Sequence, residues 1–67
     1  MTRSSSVTVG TRFARAGQQN KAYVVAELPT MPGFPTHARL VQEGGDEVLL
    51  IAVAALRDRN LYVRLPA

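Results

Sequence analysis

An all-β fold is predicted by three features of the sequence: short runs of alternating apolar and polar residues, Gly- and Pro-rich stretches between them, and β-branched and aromatic residues concentrated within the runs. The 67 residues leave room for one hydrophobic core. At this size only about 60% of the unfolded chain's surface is buried, so such domains draw support from disulfides, a structural metal or a partner subunit. Cysteine is absent, which removes the disulfides and also a thiolate zinc site and a cysteine nucleophile. A single histidine cannot supply an all-imidazole metal site. The reading is one domain over 7–67 preceded by a flexible N-terminal tail over 1–6, with no cofactor and no metal.

The tail, Met1 to Ser6, is small and polar and has little to bury. Val7, Val9 and Phe13 then alternate with Thr8 and Arg12 as in a half-buried strand, which Gly10 breaks or bulges. Ala16 to Lys21 reads as a turn, since Gly17 and Asn20 tolerate positive φ. Ala22 to Leu28 follows as a central strand, with Ala22, Val24, Ala26 and Leu28 on a fully apolar side and Tyr23, Val25 and Glu27 on the other.

Pro29, Pro32 and Pro35 forbid helix and remove sheet donors, so this stretch is a loop, and its Met31 and Phe34 either cap the core or meet a partner. Alternation resumes over Thr36 to Glu43, and Gly44-Gly45-Asp46 gives a hairpin turn. Glu47 to Val53 is apolar on both faces: Val48, Leu50 and Ala52 on one, Leu49, Ile51 and Val53 on the other. One face must therefore be covered by something besides the core. A helix over Glu47 to Arg59 competes through its Leu, Ala and Glu content, but Val48, Ile51 and Val53 are β-branched and the apolar run surrounds all sides.

Ala54 to Asp58 fits one 3₁₀ turn, and Leu61, Val63 and Leu65 alternate in a last strand that Pro66 ends. Five strands, a long second loop, a hairpin and a one-turn 3₁₀ helix before the last strand form a small SH3-like barrel. Its expected core is Val9, Phe13, Val24, Leu28, Leu40, Val48, Leu50, Leu56, Leu61 and Val63.

Hydrophobic residues make up 46% of the chain and charged residues 19%, the balance of a folded protein. No run approaches the roughly 18 apolar residues that span a bilayer, and the N-terminus lacks a secretory signal's apolar stretch, so the expected location is cytoplasmic without a membrane partner. A net charge of +3 attracts polyanions modestly.

No catalytic constellation is visible. His37 has no orienting carboxylate or nucleophile near it in the pattern and reads as structural. Glu43, Asp46 and Glu47 around the hairpin are too few for calcium and read as a solvated tip. The cations are mostly arginine, the better phosphate fork. Arg12, Arg39 and Arg64 take the outward phase of their strands and Tyr23 and Tyr62 share it, which outlines a nucleic-acid face of arginines and stacking rings.

Two stretches, Val9-Gly10-Thr11-Arg12-Phe13 and Val53-Ala54-Ala55-Leu56 with Asn60 after it, resemble the plasmid-encoded type II dihydrofolate reductases. Those match the family's opening strand and its Val-Ala-Ala-Leu turn. The resemblance implies an SH3-like protomer that assembles into a tetramer through the strand before that turn. The family's ligand-binding Gln and Tyr fall on Leu49 and Ile51, and Arg15 falls near its ligand-binding lysine, so fold and assembly carry over while the ligand groups do not.

The function expected first is a non-enzymatic interaction module that self-associates or binds a protein through Leu49, Ile51, Val53, Met31 and Phe34. The alternatives are nucleic-acid binding through the arginine and tyrosine face, and a diverged relative of those reductases.

Overall fold

The computed structural model describes residues 7–29, 32, 33 and 35–66. The tail expected over 1–6, and Met31 and Phe34, lie outside the described residues. The rest is all-β: strands β1 (Arg12–Arg15), β2 (Gln18–Glu27), β3 (His37–Gln42), β4 (Val48–Ala52) and β5 (Tyr62–Leu65), with one short helix, α1 (Val53–Leu56), before β5. The strands form a single antiparallel sheet in the order β4-β3-β2-β1-β5. The competing helix over Glu47 to Arg59 is confined to the single turn of α1, which touches both edge strands, β4 and β5. That turn is α rather than 3₁₀: Arg57 N–H donates to Val53 O at 3.2 Å, and only the following bond, Asp58 N–H to Ala55 O at 3.1 Å, closes a 3₁₀ turn.

Residues paired across antiparallel strands share a face, and the register sorts the side chains. On the inner face Arg64, Phe13, Tyr23 and Gln42 run across four strands, beside Val25, Leu40 and Leu49 and the pair Ala38 and Ile51. On the outer face Leu65, Arg12, Val24, Val41 and Val48 cross all five strands. The core is Phe13, Tyr23, Val25, Ala38, Leu40, Leu56 and Tyr62, with Val7, Leu28, Leu49, Ile51 and Val53 packed against it. Burying a Phe, Leu or Val side chain fully contributes about 1.5–3 kcal/mol, so so short a list must be well packed.

Phe13, Leu40 and Leu56 fill the places expected of them, and Leu28 packs at the core's edge. Val48, Leu50, Val9 and Leu61 do not: all four are exposed, and Val24 and Val63 are half-buried outside the core. Each departure has a local cause. In β2 a bulge between Val25 and Glu27 inserts one residue against β3, so Tyr23 and Val25 face inward before it and Leu28 after it. An unbroken period of two cannot describe such a strand. In β4 both phases are apolar, and pairing of Leu40 with Leu49 and Ala38 with Ile51 decides which one turns in.

Val9 sits at the tip of a turn in which Thr11 N–H donates to Thr8 O at 3.0 Å, with Gly10 at φ 96° in the region open to glycine. The turn expected over Ala16 to Lys21 shrinks to Ala16-Gly17, and Gln18 to Lys21 extend β2 as exposed strand.

Candidate functional site

Arg12 lies on β1 and forks onto Glu43 in the β3–β4 turn, its Nε donating to Oε2 at 2.8 Å and Nη2 to Oε1 at 2.9 Å, while Nη1 donates to Pro66 O at 2.8 Å. The Glu43 bond and charge raise the arginine's pKa, and the same bond holds the carboxyl below its ordinary range against the opposing effect of burial. Arg39 on β3 meets Glu27 at 3.2 Å on the same outer face. Two arginines of the expected nucleic-acid face are thus bound to carboxylates. The third, Arg64, pairs with Phe13 and belongs to the opposite face.

The tyrosines are not stacking surfaces. Tyr23 is 1% exposed and Tyr62 9%, both inside the core. A phenol ring can be buried when its hydroxyl finds a partner at the rim. The Tyr23 hydroxyl donates to Glu47 Oε1 at 2.7 Å, and this bond, then burial, raises its pKa. Arg15 has its pKa raised first by hydrogen bonding with Tyr62, then by charge interactions with Tyr62, Tyr23 and Glu47. Glu43, Asp46 and Glu47 are exposed, as expected of a solvated tip, and Glu43 and Glu47 also hold Arg12 and the Tyr23 hydroxyl. His37 is half-buried with Nδ1 at 2.9 Å from Pro35 O, and since a carbonyl only accepts, Nδ1 carries the proton.

The expected apolar interaction surface is inverted. Leu49 and Ile51 pack against the core because the β3–β4 register turns them inward, and Val53, the first residue of α1, packs there too. Val48 and Leu50 point outward in their place, 55% and 63% exposed, next to Val41 and Arg39. β4 pairs with β3 alone among the described strands, and Val48–Ala52 holds no charged residue and no proline to blunt that edge.

A second surface lies around the connection from α1 to β5. Arg57, Arg59 and Arg64 rim a cavity of about 330 Å³ with Phe13, Leu56 and Val63 among its apolar walls. A neighbouring open cleft of about 470 Å³ is lined by Arg15, Gln18, Ile51 and Asn60, and Tyr62 borders both. The connection is held by Asp58: its Oδ1 accepts from Asn60 N–H at 2.9 Å, and its carbonyl accepts from Leu61 N–H at 2.9 Å and Tyr62 N–H at 3.0 Å. The acid between two arginines is therefore engaged in its own turn. Among the described residues Arg57 and Arg59 make no ion pair.

Comparison with protein-family models, curated proteins and solved structures finds no match. Among the described residues no group of three His, Asp or Glu side chains is placed to hold a metal ion, and no helix is long and apolar enough to cross a membrane.

The signal that outward phase could not give for Arg57 and Arg59 was an Asx turn, Asp58 to Asn60, which occupies the one carboxylate beside them.

Proposed function

We propose that the chain is an SH3-like, non-enzymatic interaction module that self-associates through the outer side of β4, and that its occupant is a second copy of the same chain. The observation that carries this reading is the pair Val48 and Leu50, large apolar side chains exposed on a strand with one unpaired edge. Such an edge is a template for another strand unless charges, proline or a bulge blunt it. A second β4 brings the matching edge and the matching apolar row, and two copies related by a two-fold axis satisfy both at once. The strand order β4-β3-β2-β1-β5 and the one-turn helix before β5 support the SH3-like description. The resemblance of Val53–Leu56 to the turn of a family that assembles through the preceding strand supports the same choice of surface.

Sedimentation velocity tests the reading. The parent chain is expected to sediment as a dimer or larger species, and Val48→Lys/Leu50→Lys as a folded monomer, since both positions are exposed. A parent that stays monomeric at high concentration, or a doubly substituted chain that still associates, rejects it.

A further inference from the structure

We propose that the two clefts around the α1–β5 connection form a binding track for single-stranded nucleic acid, with phosphates held by Arg57 and Arg59 and a base or sugar set against the apolar walls. The charge distribution argues for this end of the molecule. Arg12 and Arg39 are paired with Glu43 and Glu27 on the outer face, whereas Arg15, Arg57, Arg59 and Arg64 line the two clefts with Asp58 as the acid of that connection. Guanidinium groups without a carboxylate are the ones that can exchange water and counterions for phosphate.

Shape selects a strand over a simple anion. The first cavity combines arginine rims with the half-buried Val7 and Val63, so a ligand that is charged on one side and apolar on the other fits it better than phosphate alone. The second cleft shares Tyr62 with the first and offers Arg15, Gln18 and Asn60, side chains suited to sugar, phosphate and base edges. Two adjoining clefts suit a repeating ligand whose successive units each carry a phosphate and a planar apolar part. Asp58 fixes the backbone that carries Arg57 and Arg59 through three hydrogen bonds, so little of the connection has to be ordered on binding.

This inference uses a different surface from β4, and either can fail alone. The test is fluorescence anisotropy with a labelled oligothymidylate about 12 nucleotides long, a length within single-strand site sizes. Arg57→Gln/Arg59→Gln removes two exposed charges that make no ion pair among the described residues and is expected to keep the parent's denaturation midpoint. It should bind about tenfold more weakly and flatten the plot of log affinity against log salt by about 1.4, the value for two lost single-strand phosphate contacts. Arg39→Gln, on the outer face, should bind as the parent does. The proposal is overturned if the double variant binds unchanged, if Arg39→Gln weakens binding equally, or if thymidine monophosphate displaces the oligonucleotide at equal nucleotide concentration.

Discussion

The outer face of the sheet and the α1–β5 end contain the same residue types, arginines beside apolar side chains, in opposite states. On the outer face Arg12 and Arg39 are tied to carboxylates while Val48 and Leu50 are left exposed. At the α1–β5 end the apolar groups, Phe13, Leu56 and Tyr62, are buried, and among the described residues Arg57 and Arg59 make no ion pair. Residue type alone therefore does not mark a site in so small a domain. What distinguishes the surfaces is which member of each set has already found its partner: the first face offers hydrocarbon, the second offers charge.

The largest expected effect separates inner from outer. Leu40→Ala opens the centre of the core and should cost about 2–5 kcal/mol, whereas Leu50→Ala on the exposed side should change the stability of the monomer by no more than about 0.5 kcal/mol. Urea denaturation below the association concentration reads both, and similar losses at the two positions would erase the distinction. Next is Gly10→Ala, which forces an alanine into the positive-φ turn and should cost about 1–2 kcal/mol by the same measurement.

Smaller effects follow from the rim contacts. Because the folded pKa of Glu43 is depressed, its contribution to stability is present above the ordinary value of 4.5 and disappears as pH falls through the lower folded value. Glu43→Gln should therefore lose stability at neutral pH and show a shallower acid decline in thermal melts. Tyr23 has the reverse sign: its folded pKa is raised, so its contribution holds below the ordinary 10.0 and fades as pH rises through the folded value. Tyr23→Phe should flatten the alkaline side of the same profile, and an unchanged alkaline slope would exclude the Glu47 bond as its source.

Much of this fold was readable from local chemistry. Three prolines marked the loop before β3, Gly44-Gly45 marked the hairpin, and the β-branched content of Val48 to Val53 favoured strand over helix. The direction in which side chains point was not readable where two rules met. In β2 the bulge after Val25 resets the phase, and it is stabilised by pairing with β3, which no local pattern contains. In β4 both faces are apolar, so only register could choose between Leu49 and Leu50. The tyrosines were misplaced because the hydroxyl of Tyr23 is satisfied by Glu47, a residue 24 positions away. The arginine site was hidden for the same kind of reason: the fate of Arg12 depends on Glu43, 31 positions along the chain.

The phase of β4 underlies both the core and the exposed apolar row, and the absence of native cysteine makes it directly measurable by thiol labelling. With single variants Leu49→Cys and Leu50→Cys, the cysteine at 50 should react rapidly in dilute solution and slow as concentration rises and a second chain covers it. The cysteine at 49 should react slowly throughout. Faster labelling at 49 than at 50 in dilute solution would contradict the register and the account built on it.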